Sequence, residues 1–233
     1  MKFALFGISE INLGKHNLKD PRFDQADELV EADKKTYAQV DVVGEDGLQE
    51  ADAILASEAS KADLILKDLE FVETRLGREP QAAERTALEK IKHLLESEKF
   101  IYNSALPQEE LQAVAAHSFF TNKPISVATG EELQTPERWL LRAFAEAGYI
   151  CFLTVGGKEN RAWPIRKGMT AWESAGVIHS DIQKGFIRAE IIDFSDFTAA
   201  GGETQAKRAG KQRLEMKQYI IKDYDLVNFR FNK

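Results

Sequence analysis

Two short motifs near the N-terminus have the residue types of a nucleotide-binding site. Gly14-Lys15 follows an apolar run that predicts a strand, Lys2–Phe6, and Asp41 stands three residues before Gly44. In a phosphate-binding loop, glycines let backbone N–H groups wrap the phosphates and the lysine supplies a positive charge. In an Asp-x-x-Gly motif the aspartate would hold Mg²⁺ through water. Together these residues would bind Mg-ATP or Mg-GTP.

The phosphate-binding loop is incomplete. The position five residues before Gly14 is Ser9 instead of glycine, and His16 follows Lys15 where a hydroxyl group should hold Mg²⁺. Only 25 residues separate Lys15 from Asp41, whereas a strand–helix–strand unit takes about thirty. The sequence therefore predicts that the helix after the loop and the first switch are missing. The four motif residues are then the remnant of a nucleotide site, or an ordinary loop and strand.

A second group of candidate residues is basic and lies in the C-terminal part. Residues 1–148 carry 17 Lys and Arg against 28 Asp and Glu, a balance of −11, and residues 149–233 carry 14 against 10, a balance of +4. Exposed Lys and Arg contact phosphate backbones without sequence preference. The alternative is the solvated surface of a small domain. The candidate contacts are Arg161, Arg166, Lys167, Lys184, Arg188, Lys207, Arg208, Lys211 and Arg213.

No catalytic residue and no metal site is predicted. His179 and Asp181 could form an acid–base pair, but no third orienting group accompanies them, and we interpret them as structural. Cys151 lies in an apolar strand pattern typical of a buried thiol. A single cysteine and the absence of a long apolar run predict a reduced, cytoplasmic protein with no membrane segment. The remaining histidines show no metal-ligand spacing: His16, His93 and His117.

The elements that must position these residues begin with a helical arm at about residues 50–118. Apolar residues at helical spacing predict helices at Glu50–Leu76 and Gln81–Glu98, separated by Gly77 and Pro80. A third helix is predicted at about residues 107–118, opened by a proline. Two antiparallel helices joined by such a short turn form a helical hairpin.

The other predicted elements divide the chain near residue 148. Asp20-Pro21 opens a helix as N-cap and first helical residue, and the helix Pro136–Ala147 ends at Gly148. We therefore predict one domain at 1–148 and a second, small α+β domain at 149–233. The predicted strands are Tyr37–Val43, Pro124–Ala128, Tyr149–Val155, Arg161–Ile165, Phe186–Phe194, Gln218–Ile221 and Leu226–Phe231, and the predicted C-terminal helices are Ala171–Val177 and Glu203–Leu214.

Several motifs, in order, resemble the YchF (Obg-like ATPase) family. The resemblance implies a shortened P-loop-GTPase-like α/β core with a helical hairpin insertion, followed by a ubiquitin-like β-grasp (TGS) domain; the fold class is α/β plus α+β. The motifs of the tail are Arg161–Trp163, Ala175–Asp181, Lys184–Glu190, Ala209–Lys211 and Phe229–Phe231. Those upstream are Leu64–Glu70, Glu73, Arg75-Leu76, Asp20–Asp24 and Val40–Gly44.

The resemblance also implies a function. The family's base-reading motif, Asn-x-x-Glu, falls at Thr129–Glu132, where only Glu132 matches. TGS domains of this family are associated with ribosome and RNA contact. We therefore expect a non-hydrolysing YchF-like binding or regulatory module on the ribosome or RNA, without a cofactor. The alternatives are a divergent protein that still binds Mg-ATP or Mg-GTP with weak or no hydrolysis, and a scaffold that pairs with a protein partner through the helical arm.

Overall fold

A computed structural model describes residues 1–232. The chain divides into two compact units. The first unit contains Met1–His16 and Val40–Ala147, and the second contains Asn17–Gln39 together with the chain from Gly148 onward.

Both units contain helices and strands. In chain order they are β1 (Lys2–Phe6), β2 (Gly14–Asn17), α1 (Pro21–Leu29), β3 (Lys34–Thr36), β4 (Gln39–Val43), β5 (Ala53–Ser57), α2 (Lys61–Leu76), α3 (Ala82–Glu96), α4 (Gln108–Ala113), β6 (Ile125–Ala128) and α5 (Pro136–Glu146). They continue with β7 (Tyr149–Thr154), β8 (Glu159–Arg166), α6 (Ala171–Ile178), α7 (Ser180–Lys184), β9 (Phe186–Ile192), α8 (Phe194–Ala200), α9 (Glu203–Arg208), β10 (Arg213–Glu215) and β11 (Leu226–Phe231). Single 3₁₀ turns lie at Glu45–Gly47, Phe120–Asn122 and Glu132–Gln134.

The first unit is built on a five-stranded sheet with the order β2-β4-β1-β5-β6. β1 runs parallel to β4 and β5, and β5 runs parallel to β6. Parallel strands that are covered on both faces consist of nearly continuous apolar residues, and β1 and β5 each have four buried residues in a row. The parallel arrangement places the carboxyl ends of these strands at one edge, where an α/β sheet binds ligands.

The predicted long helix at Glu50–Leu76 is wrong in its first part. Residues Ala53–Ser57 form β5, and α2 begins only at Lys61. A short apolar run such as Ala53–Ala56 fits a buried strand or a buried helix, and periodicity cannot distinguish the two. The predicted third helix is also shorter, because α4 ends at Ala113.

The helical arm is a hairpin of α2 and α3 with its own apolar core. Val72 on α2 and Leu88, Ile91 and Leu95 on α3 belong to that core, and none of them is more than 1% exposed. Asp68 on α2 is the buried carboxylate of the arm, at 2% exposure. The predicted hairpin is thus present, with Gly77 as the C-cap of α2.

The second unit is built on a six-stranded sheet with the order β10-β9-β11-β7-β8-β3. β9 pairs antiparallel with β11, and β7 pairs antiparallel with β8. Helix α6 packs Ala171 and Ala175 into the core formed by the sheet. Two predictions are wrong here. Arg213 and Leu214 lie in β10 instead of a helix, and the predicted strand at 218–221 is reduced to an isolated bridge between Thr170 and Ile220.

Residues 17–39 form part of the second unit, although the sequence interpretation placed all of 1–148 in one domain. Strand β3 pairs in parallel with β8 as an edge of the six-stranded sheet. Helix α1 begins as predicted, with Asp20 accepting a hydrogen bond from the Arg22 backbone N–H. The Arg22 guanidinium then binds Asp223 at 2.7 Å and stacks 3.8 Å from the centre of the Tyr224 ring. These are contacts between residues far apart in sequence, which local patterns do not report.

The observed architecture is an α/β unit and an α+β unit, as the sequence predicts. Across residues 1–232, no helix has the length and apolar character needed to cross a membrane.

Candidate functional site

Two of the tail motifs become neighbours in the second unit. The motif Lys184–Glu190 supplies most of β9, and Phe229–Phe231 ends β11. In the antiparallel register, Arg188 lies opposite Arg230 and Glu190 lies opposite Asn228. Two segments about forty residues apart therefore place two arginines side by side.

Glu190 organises this pair of strands. Its side chain is 6% exposed and accepts hydrogen bonds from Arg230 Nε and Asn228 Nδ2, each at 2.7 Å. Burial opposes ionisation of the carboxyl group, but the hydrogen bonds from Arg230 and Asn228 outweigh it and hold the pKa of Glu190 below its usual range. Glu190 is therefore an ionised anchor that fixes the guanidinium of Arg230.

Side-chain alternation puts Arg188, Asn228 and Arg230 on one surface of the sheet, here called the β9–β11 face. All three are exposed, and the side chain of Arg230 retains 64% of its accessible surface. Sequence reasoning included Arg188 among the candidates and missed Arg230. The signal was available: Asn228 and Arg230 are the polar members of a strand whose other residues are Leu226, Val227, Phe229 and Phe231, and which alternates from Val227 onward.

Several of the other predicted contacts are held in ion pairs within the second unit. Lys207 binds Glu203 at 2.7 Å, Lys211 binds Asp196 at 3.0 Å, and Arg213 binds Asp193 at 2.6 Å. These cations bridge neighbouring acidic groups of the same unit, so their charge is largely compensated.

Two of the remaining predicted contacts lie on aromatic rings, and one of them, Arg161, also lies 3.9 Å from Glu159. Arg161 and Arg166 stack on the rings of Trp163 and Tyr149, each 4.0 Å from the ring centre. The other three are exposed, and in the part of the chain that the structure describes no ion pair involves them: Lys167, Lys184 and Arg208.

The predicted phosphate-binding lysine lies in a strand. Gly14 and Lys15 are the first residues of β2, at the edge of the five-stranded sheet, and Lys15 is exposed. Between β1 and β2 lie only residues 7–13, and they contain no helix. The helix N-terminus that normally binds phosphate is therefore missing after β1.

The structure does not bring Asp41 to the same end of the sheet as the loop after β1. Asp41 lies level with Lys2 in the parallel pair of β1 and β4. Gly7, just beyond the other end of β1, is five residues further along, which corresponds to about 16 Å at the rise of a β-strand. Gly44 follows the last residue of β4 and lies nearer to that end.

The backbone at the carboxyl end of β1 is already occupied. The N–H of Gly7 donates to Oε1 of Glu45 at 3.2 Å. On the other side, a Cβ atom at Gly7 would come within 2.4 Å of Cβ of Ser60, and Gly7 adopts φ +63°, so only glycine fits. The carboxylate of Glu45 thus occupies the Gly7 N–H, a backbone donor of the kind that binds phosphate. Its negative charge would also repel a phosphate group at this position.

Glu132, the remaining match to the base-reading motif, is also engaged. It accepts hydrogen bonds from Arg142 Nε at 2.6 Å and Nη2 at 2.7 Å, and from the Thr129 backbone N–H at 2.9 Å. The hydrogen bonds from Arg142 lower the pKa of Glu132 to about 2. The carboxylate stabilises the turn after β6.

The two other reactive groups have structural positions. His179 Nδ1 accepts the Asp181 backbone N–H at 3.1 Å and so caps α7. Cys151 is 4% exposed, and burial raises the pKa of its thiol, which keeps it protonated. Among the described residues, no three His, Cys, Asp or Glu side chains converge as metal ligands.

Comparison with known proteins decides the family. Residues 149–232 match the family model YchF-GTPase_C, described as a protein of unknown function (DUF933). The chain is 31% identical over 240 residues to the ribosome-binding ATPase YchF of Bacillus subtilis, covering 75% of this chain and 66% of the relative. It is 33% identical over 233 residues to the protein of that name from Haemophilus influenzae, covering 73% and 64%. The chain belongs to the YchF family.

A solved YchF structure shows the same fold. The YchF GTPase of Schizosaccharomyces pombe superimposes with a TM-score of 0.76 at 18% sequence identity, covering 99% of this chain and 97% of that one. The predicted fold class, a P-loop-GTPase-like unit followed by a separate C-terminal domain, is thereby confirmed. The chain spans just under two thirds of the length of the first YchF relatives, 66% and 64%.

Proposed function

We propose that this YchF-family protein binds the ribosome through RNA contacts of the β9–β11 face and does not hydrolyse nucleotide. The observation that carries the first half is the juxtaposition of Arg188 and Arg230 across two paired strands. The name of the YchF relatives, ribosome-binding ATPase, supports the same partner.

The chemistry of the two arginines fits an RNA backbone. A guanidinium group presents a planar fork of donors that matches phosphate oxygens. Arg230 is held in place by Glu190, so it loses little side-chain entropy when it binds. Arg188 has no ion pair among the described residues and offers an uncompensated charge. Arg188 and Arg230 together could bind two neighbouring phosphates or a single one.

The proposed lack of hydrolysis depends on the first unit. Phosphoryl transfer needs a phosphate cradle, a lysine and a held Mg²⁺ ion. Here the N–H of Gly7, directly after β1, donates to Glu45, Lys15 lies in β2, and no helix lies between β1 and β2. Any Mg-ATP or Mg-GTP bound by Gly14, Lys15, Asp41, Gly44 or Glu132 would require these groups to be rearranged.

Sedimentation with ribosomes tests the first half. We expect Arg188→Glu to weaken co-sedimentation at least about fivefold at low salt, and to lower the slope of log affinity against log salt by about one. Arg78→Glu is the matched control, because it makes the same charge change at an exposed position of the other unit. Equal losses in the two variants would point to net charge alone and remove the β9–β11 face from the proposal.

Thermal shift and phosphate release test the second half. A ligand present at one hundred times its dissociation constant adds about 2.7 kcal/mol of stability. We expect no shift and no phosphate release with millimolar Mg-ATP or Mg-GTP. A clear shift without release would instead support the alternative of a nucleotide-binding protein without hydrolysis, and release would refute the proposal.

A further inference from the structure

Strand β11 has a neighbouring strand on both sides only at its start. It pairs with β9 from Leu226 to its end, but it pairs with β7 at a single position, where Leu226 lies opposite Leu153. After Thr154 the chain turns away through Gly156 and Gly157, with φ of +85° and +80°. Among residues 1–232, the second half of β11 therefore has no strand on its β7 side.

The direction of the backbone groups follows from one hydrogen bond. The N–H of Leu153 donates to the carbonyl of Asp225 at 2.9 Å, so the Asp225 carbonyl points towards β7. Backbone groups alternate in direction along a strand, and those of Val227 and Phe229 point the same way, while those of Asn228 point to β9. The ladder with β7 is limited to Leu226, and outside the strand ladders of the described chain no backbone hydrogen bond involves Phe229.

These backbone groups are costly to leave without partners. Phe229 is only 8% exposed and Val227 only 5%. Most backbone groups in such positions are paired, with protein or with water. The second half of β11 is therefore an incomplete sheet edge, which is the feature that an added strand requires.

A cavity of about 610 Å³ lies along this edge, within the range of ligand-binding sites. It is lined on one side by the apolar residues Ile178 and Ile182 of α6 and α7, and elsewhere by the polar residues Glu190 and Lys207. Lys158, at the turn between β7 and β8, also lines it. The cavity thus combines an apolar wall, a polar wall and a free backbone edge.

We propose that this edge binds an extended peptide segment with alternating apolar and polar residues and one acidic side chain. The peptide would continue the sheet beside β11, with its main chain hydrogen-bonded to Phe229 and its apolar side chains against Ile178 and Ile182. Lys158 is exposed and makes no ion pair among the described residues, so it complements a carboxylate. The cavity lining contains three carboxylates, Glu159, Glu190 and Glu203, and each already binds a cation of the protein.

Hydrogen exchange of the free protein tests the incomplete edge. The amide of Phe229 should exchange at least about tenfold faster than that of Asn228, which points to β9. Equal protection of the two amides in the full-length protein would show that the edge is closed and would overturn the proposal.

Peptide titration tests the ligand class. The probe is a blocked pentapeptide with valine at positions one, three and five, glutamate at two and threonine at four. We expect saturable shifts of the Phe229 amide in nuclear magnetic resonance spectra. N-methylation of the central valine should weaken binding about tenfold, because it removes a main-chain donor. Absent binding, or equal binding of the methylated peptide, would refute main-chain pairing.

A charge exchange tests the position of the acidic residue. Lys158→Glu should lower the affinity for the glutamate peptide about threefold to tenfold. It should raise the affinity for a peptide with lysine at position two. Lys217→Glu makes the same change at an exposed position outside the cavity lining and should leave both affinities unchanged. The same response in both variants would refute the role of Lys158.

Discussion

The buried carboxylate of Asp68 is expected to be the main polar support of the helical arm. It lies on α2, is 2% exposed, and accepts three hydrogen bonds from the turn at 120–122. The donors are the Phe120 N–H at 3.0 Å and the N–H and hydroxyl of Thr121, both at 2.7 Å. This side chain therefore fastens the turn that precedes β6 to the arm.

Asp68→Ala would leave these three donors without an acceptor. Each buried donor without a partner costs about 1–3 kcal/mol. Removing the charge offsets part of this, because burial of the carboxyl group raises the pKa of Asp68 in spite of its hydrogen bonds. We expect a net loss of about 3–5 kcal/mol in the free energy of unfolding of the first unit.

Urea unfolding followed by circular dichroism measures this loss, and hydrogen exchange of the α3 amides places it in the arm. Glu70→Ala is the matched control: Glu70 lies on the same helix and is exposed, so the cost should stay within about 0.5 kcal/mol. If the Asp68 and Glu70 variants differed by less than about 1 kcal/mol, the three hydrogen bonds would not support the arm as argued.

Three further predictions concern other contacts. Burial raises the pKa of Asp225 to about 6 from 3.8, so stability that is present below pH 3.8 is lost as pH rises through 6. Asp225→Asn should remove a pH dependence of up to about 3 kcal/mol between pH 4 and 6 in urea unfolding, and an unchanged profile would contradict this. Asn160 is fully buried, and its side-chain amide donates to Asp27 at 2.8 Å and to the Val30 carbonyl at 2.7 Å. Asn160→Ala should lower the free energy of unfolding by about 2–4 kcal/mol and speed proteolysis at residues 17–39. Asn12→Ala, at an exposed position, should do neither. If the arm pairs with another copy, light scattering should give a dimer mass; a monomer at all concentrations would contradict that scaffold hypothesis.

Local patterns predicted much of the second unit. Leu226–Phe231 alternates between apolar and polar residues, and the structure has a strand with those bounds. Asp20-Pro21 predicted the start of α1, and the observed helix begins at Pro21 with Asp20 as its cap. Such signals are local, because side-chain alternation and capping involve residues within one turn or one strand.

Other features depend on partners distant in sequence. Ala53–Ser57 is a strand only because β1 and β6 lie on its two sides. Arg213 and Leu214 are in a strand because β9 offers an edge for pairing. In each case tertiary pairing outweighed the local preference on which the sequence prediction was based.

The sequence alone determined the family and the four longest strands of the C-terminal unit, β7, β8, β9 and β11, because each is recorded in neighbouring residues. Only the tertiary structure shows that Arg188 lies opposite Arg230 and that the Gly7 N–H donates to Glu45. It alone also shows that the second half of β11 has no strand on its β7 side. Register and pairing depend on how segments far apart in sequence share hydrogen bonds and buried surface, and no local pattern records that choice.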